Sequence, residues 1–185
     1  MGDQDWHHLE ALMADSRTRA VGEIGLDYFR NLSPPDVQRQ AFERQLAMAA
    51  ERDLPVLVHD RDAHDDVTAA LLAWTGRPEH AQRGVLHAFS GDAGMAVKLS
   101  GAGFLVSFAL PVAFSSAAGP REAAAALEDG RFLVETDAPY LGPDRDRRNE
   151  PTTALRVIAE LARLRTTRPD ALVTAIGGAY RSLVG

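Results

Sequence analysis

Five short apolar runs, each leading into an acid, an imidazole or a hydroxyl, constrain this chain more than any other feature. "RAVGEIGLD" carries Glu23 and closes on Asp27, "LPVLVHDRDA" reaches His59, and "RGVLHAFSG" reaches His87. "GFLVSFALP" holds Ser107, and "FLVETDAPYL" runs into Glu135 and Asp137. Each is short and rich in apolar and β-branched residues, the composition of a strand buried on both faces. Between them, apolar residues recur at helical spacing. A helix is predicted with Ser33 as its cap and Val37, Ala41, Phe42, Leu46 and Ala49 on its apolar stripe, and a second carries Val67, Ala70, Leu71 and Trp74. Others are expected around Met95 to Ser100, ending at Gly101, around Glu122 to Glu128, ending near Gly130, and along Leu155, Ile158, Ala162 and Arg165. The glycines of "AIGGAYRSLVG" weaken the pattern of a last helix.

Strand and helix thus alternate at roughly thirty residues per unit, which implies parallel strands joined by right-handed helical crossovers. Doubly wound sheets and (β/α) barrels are built this way, and in both the carboxyl ends of the strands share one rim. Glu23, His59, His87 and Asp137 are each expected at such an end. Buried carboxylates are costly unless a cation or several donors compensate them, so the rim reads as an ion site. Two imidazoles and two or three carboxylates with no thiolate suit Zn²⁺, Mn²⁺ or Mg²⁺, and one carboxylate can bridge two ions about 4 Å apart.

Composition narrows the setting. The 185 residues, 45% of them hydrophobic, suffice for one packed core and are read as a single domain, 1–185. Apolar runs of membrane-spanning length are missing, and "MGDQDWHHLE" lacks the basic start and apolar stretch of a secretory signal. A cytoplasmic location with no membrane partner is expected. With no cysteine, disulfides, thiolate nucleophiles and cysteine-ligated zinc are excluded. A net charge of −6 disfavours a broad basic surface for nucleic acid, although a bound cation would add local positive charge.

In order along the chain, "AVGEIGLDYFR", "PVLVHDRDA", "LHAFSG", "LVETDAPYL" and "NEP" resemble successive signature blocks of the TatD family of metal-dependent deoxyribonucleases. The resemblance implies a (β/α)8 TIM-barrel-like metal-dependent hydrolase that cleaves DNA phosphodiesters, often from a 3′ end. It implies that Glu23 is shared between two metals, that His59 and His87 hold one of them, and that Asp137 is a ligand and proton acceptor for the hydrolytic water. Glu135 then becomes a supporting acid. Family members are similar in opening with a His-x-His strand, whereas His7 and His8 here are adjacent and fall on an expected helix with Leu9, Leu12 and Met13. The chain therefore reads as N-terminally shortened, with five of eight barrel strands, two metal ions in the intact family site and one here. Open edges and uncovered interior side chains would follow, with low stability, self-association through the edges or a rearranged sheet. No stable protein partner is expected beyond that.

Other residues carry two readings. Asp27 is a turn acid or one that supports the ligands, and His64 and His80 read as surface residues. Arg61 either orients a phosphate or pairs with Asp60 or Asp62. Ser90 either donates to a phosphate or caps the next helix. Asn149 and Glu150 either cap the helix after Pro151 or, as the resemblance suggests, buttress the site. The three arginines of "RDRRNEP" are a solvated loop or an attraction for phosphate. Two alternatives to a DNA hydrolase stand: a barrel hydrolase acting on another ester or amide, and an inactive or partner-dependent fragment lacking the His-x-His ligands.

Overall fold

The computed structural model describes residues 2–80, 82–143 and 148–185. Helix α1 (Asp3–Met13) precedes β1 (Val21–Asp27), α2 (Pro35–Glu51), β2 (Val56–Arg61), α3 (His64–Ala73), β3 (Gly84–Leu86) and α4 (Ala93–Gly101). Then follow β4 (Phe104–Phe108), a 3₁₀ turn (Leu110–Ala113), α5 (Ala118–Ala126), β5 (Phe132–Val134), a 3₁₀ turn (Pro151–Thr153), α6 (Ala154–Leu164) and α7 (Pro169–Val184). All five strands are parallel and lie in chain order, β1-β2-β3-β4-β5.

Side chains alternate across a strand, and here each face has its own cover. Val56, Val58, Leu86, Phe104, Val106, Phe108 and Phe132 point into the main core. The helices meet them with Phe42 and Leu46 of α2, Val67 and Leu71 of α3, Leu99 of α4 and Leu161 of α6. On the opposite face Leu57, Val85, Leu105 and Leu133 cluster with Ile176, Ala179, Leu183 and Val184 of α7. Those α7 positions recur at helical spacing, so one stripe of the helix lies on the sheet. A hydrogen bond from Ser182 Oγ to Gln82 Oε1 pins the helix beside the start of β3.

The interior side chains are therefore not left open as expected, because α7 covers them: Leu105 is fully buried and Val85 nearly so. The helix runs through Gly177 and Gly178, whose weak propensity is offset by burial of its apolar stripe. Both outer edges, of β1 and of β5, stay unpaired among the described residues.

Some boundaries differ from the sequence reading. Helix α2 is capped at Pro34, while the Ser33 carbonyl accepts a hydrogen bond from Gln38 Nε2 at 2.7 Å. Val37 is exposed, because the buried stripe through Phe42 and Leu46 passes through Gln38 and Arg39 in the first turns, where polar bonds replace apolar packing. Helix α5 begins at Ala118, ahead of Glu122, since its run of alanines carries no capping side chain to mark its start. Leu155 is exposed and Val157 takes the core position on α6.

Candidate metal centre

Glu23, Gly25 and Asp27 alternate along β1 and so share one face, opposite to the buried Ile24 and Leu26. Gly25 pairs with His59 across the parallel ladder, at φ +141°, where an added Cβ would collide with the His59 carbonyl. The two backbones approach closely at that point, and the acids on either side of the glycine reach the same imidazole. Glu23 Oε1 lies 2.7 Å from His59 Nδ1, and Asp27 Oδ2 lies 3.4 Å from His59 Nε2.

The second imidazole comes from the residue that follows β3. His87 Nε2 faces the same Glu23 oxygen and stands 3.1 Å from His59 Nδ1. Its other nitrogen, Nδ1, is 3.5 Å from Glu135 Oε2, just past β5. The donor atoms of Glu23, His59 and His87 all fall within 4.8 Å of one another. Ligands about 2.1 Å from a tetrahedrally held ion sit about 3.4 Å apart, so three lone-pair donors turned toward one point have close to ion-binding spacing. A carboxylate behind each imidazole fixes the ring and its tautomer, as ligand histidines require. The donor set of two nitrogens and one oxygen therefore fits one divalent ion of the borderline or harder kind.

Electrostatics agree with this arrangement. Burial raises the pKa of Glu135, but His87, the Ala88 N–H at 2.5 Å and Ser107 outweigh burial and hold the carboxyl below its ordinary range. His87 is lowered by burial and raised by Glu135, Glu23 and Asp137, with a net upward shift. Asp27 is opposed by burial yet held low by the Arg30 N–H, His59 and Arg61. Asp137 is raised, first by burial and then by the charges of Glu135 and Glu23, against His87 and His59.

The structure corrects parts of the sequence reading. Glu23 lies inside β1, not at its carboxyl end, and reaches the site where the register shifts between Val21 and Ile24. Asp137, at φ +57° in the loop after β5, lines the same cavity but stands outside the close triad. The buried Asn149 bonds through Nδ2 to the Thr136 carbonyl and through its backbone N–H to the Pro139 carbonyl at 3.1 Å, so it braces the loop that carries Asp137. Glu150 is exposed and makes no side-chain cap; its N–H bonds Asn149 Oδ1 at 2.9 Å. Asp92 rather than Ser90 caps α4, accepting from the Met95 N–H at 2.8 Å, which leaves the Ser90 hydroxyl on the cavity wall. Arg61 pairs with neither neighbouring acid and stacks on Phe29, its Cζ 4.1 Å from the ring centroid. His7 and His8 are exposed on α1. His80 pairs with Asp53 at the surface, 2.8 Å away. Arg145 and Arg147 lie outside the described residues, and Arg148 is exposed.

His64, read from the sequence as a surface residue, opens α3, is partly exposed and lines the same cavity as His59 and His87. Its contact with Asp60 joins the end of β2 to the first residue of α3, so no helical spacing in the sequence signalled it. The cavity has a volume of about 1050 Å³ and runs from His59 and His87 past Ser90 to Lys98 and the start of α5.

Residues 2–185 match the family model described as TatD related DNase. The chain is 37% identical over 167 residues to the "Uncharacterized metal-dependent hydrolase YabD" of Bacillus subtilis (strain 168), a match covering 89% of this chain and 64% of the relative. It is 36% identical over 182 residues to the "3'-5' ssDNA/RNA exonuclease TatD" of Klebsiella pneumoniae (strain 342), covering 94% of this chain and 68% of that protein. The crystal structure of YJJV, a TatD homolog from Escherichia coli K12, superposes with a TM-score of 0.91 at 30% identity, over 100% of this chain and 71% of that one. The chain spans about two thirds of the length of these curated relatives. The reading of an N-terminally shortened chain is not borne out by the family match, which covers residues 2–185. A match that runs from α1 through every strand to α7, at the identity seen with YabD, leaves one assignment: the chain belongs to the family of TatD-related DNases.

Proposed function

We propose that this chain is a divalent-metal-dependent hydrolase of DNA phosphodiesters that removes nucleotides from a 3′ end. The observation that carries the reading is the convergence of Glu23 Oε1, His59 Nδ1 and His87 Nε2 beside the cavity that both imidazoles line, with Asp27 and Glu135 behind the imidazoles. Glu23, His59 and His87 would hold one ion, Mg²⁺, Mn²⁺ or Zn²⁺, with Asp137 beside them. When bound, the ion supplies Lewis acidity that makes water a nucleophile near neutral pH and offsets charge on the phosphate. The chain's own groups do the remainder. Asp137, whose carboxyl is already raised, accepts a proton from the attacking water. Arg61 and the Ser90 hydroxyl, both on the cavity wall, hold non-bridging phosphate oxygens. Asn149 keeps the Asp137 loop in place. A soluble DNA substrate in the cytoplasm fits this reading, and no helix among the described residues is long and apolar enough to cross a membrane.

The test is cleavage of single-stranded DNA with Mn²⁺ or Mg²⁺, with a Glu23→Ala variant purified identically. Activity present in the parent and absent from the variant supports the reading. Equal turnover in both assigns the cleavage to a contaminant and removes it.

A further inference from the structure

His64 and Asp60 form a further imidazole-carboxylate pair on the wall of the cavity that His59 and His87 also line, and the ion site does not use it. His59 and Asp60 are adjacent on β2 and so point to opposite faces of the sheet. Asp60 turns outward beneath the first turn of α3, where its side chain is only 6% exposed. There Oδ1 accepts from the Ala63 N–H at 3.3 Å, and Oδ2 lies 2.8 Å from His64 Nδ1. A nearly buried carboxylate at that distance fixes the ring with its proton on Nδ1, which leaves Nε2 as the working nitrogen. The His64 side chain is 40% exposed and lines the cavity.

The charges around the ring favour its protonated form. Asp60 faces it from β2, Asp62 and Asp65 flank it, and Asp92, the cap of α4, and Lys98 on that helix line the same cavity. The bond to Asp60 is the largest influence, and against burial it raises His64 above its ordinary range. An imidazolium held by a buried acid, in the cavity where a phosphodiester would be cleaved, has the properties of a general acid.

From this geometry we infer that His64 is a catalytic residue that protonates the leaving oxygen, a role that rests on the phosphodiester reading above. The water oxygen forms the new bond to phosphorus and gives one proton to Asp137. The bond from phosphorus to the bridging 3′ oxygen breaks, and that oxygen keeps the electron pair and takes the Nε2 proton. The products are a 3′-hydroxyl and a nucleoside 5′-monophosphate. Solvent then reprotonates His64 and removes the proton from Asp137. Without the acid, the group expelled is a strongly basic alkoxide.

The experiment compares two single-stranded oligodeoxynucleotides, one with a natural 3′-terminal linkage and one in which the bridging 3′ oxygen is sulfur. A thiolate leaves without protonation, so the second substrate bypasses the acid. With Mn²⁺ present, His64→Gln should lower kcat on the natural linkage by about 10²-fold or more and abolish the alkaline limb of its pH profile. The same variant should cleave the sulfur linkage within about threefold of the parent, which also shows that it is folded. A parallel fall on both substrates, or no fall on either, overturns the assignment while leaving the nuclease reading intact. A parent chain inactive on both substrates contradicts the nuclease reading itself, and the His64 role falls with it.

Discussion

Two layers on the inner face of the sheet, two residues apart along each strand, have opposite characters. The lower layer is Leu57, Val85, Leu105 and Leu133, closed over by α7. The upper layer is His59, His87, Ser107 and Glu135, joined from β1 by Glu23 and Asp27 at the imidazoles, polar throughout, with both imidazoles on the wall of the cavity. The same backbone register serves both: Leu57 pairs with Val85 and Val85 with Leu105, so the apolar layer sets the alignment in which His59 and His87 then meet. Neighbouring positions on one strand are thus assigned to stability below and to chemistry above, the division seen between the two ends of (β/α) barrels.

If that division holds, changes in one layer should leave the other layer's property intact. The largest effect is expected at Glu23, the carboxylate both imidazoles face: Glu23→Ala should abolish ion binding and ion-dependent cleavage with little change in melting temperature. Ion binding by calorimetry alongside thermal melting would check this, and a large loss of stability would mean that the triad also holds the fold. The mirror experiment is Leu105→Ala, a cavity at a fully buried site, which should cost about 2–5 kcal/mol in denaturant unfolding. The folded fraction of that variant should bind the ion as the parent does.

A smaller effect sharpens the comparison within the upper layer. Asp27→Asn keeps the shape and the acceptor for the Arg30 N–H but removes the charge behind His59. Ion affinity should fall about 10- to 100-fold in a chelator competition assay, with the fold unchanged. The smallest effect belongs to the outer helices. Glu160 of α6 is pulled down to about 2, by Arg163 against burial and with help from Arg121. A carboxyl with a depressed folded-state pKa contributes stability that is complete above its ordinary value of 4.5 and is lost as pH falls toward about 2. The stability difference between parent and Glu160→Gln, under about 1 kcal/mol because Arg163 is solvated, should therefore shrink across that acidic range.

Much of this architecture was legible in the sequence for a physical reason. Runs such as "PVLVHD" place a buried strand and a rim ligand in consecutive residues, and parallel pairing brings His59 and His87 together without any further information. The position of Glu23 was less legible, because a register shift inside β1 leaves no mark on composition. The partnership of Asp27 with His59 depends on the close approach at Gly25, which only the paired strands reveal. The cover supplied by α7 was hidden for a similar reason: its apolar stripe is visible at Ile176, Ala179 and Leu183, but the surface that it meets comes from four different strands. His64 looked like a surface residue because Asp60, its partner, is buried only once α3 docks over the end of β2.

The most direct test of the central claim, that the upper layer is an ion centre, is the anomalous signal of Mn²⁺ soaked into crystals of this chain. The account predicts a peak at bonding distance from Glu23 Oε1, His59 Nδ1 and His87 Nε2. A signal elsewhere on the molecule, or none at saturating Mn²⁺, would contradict it.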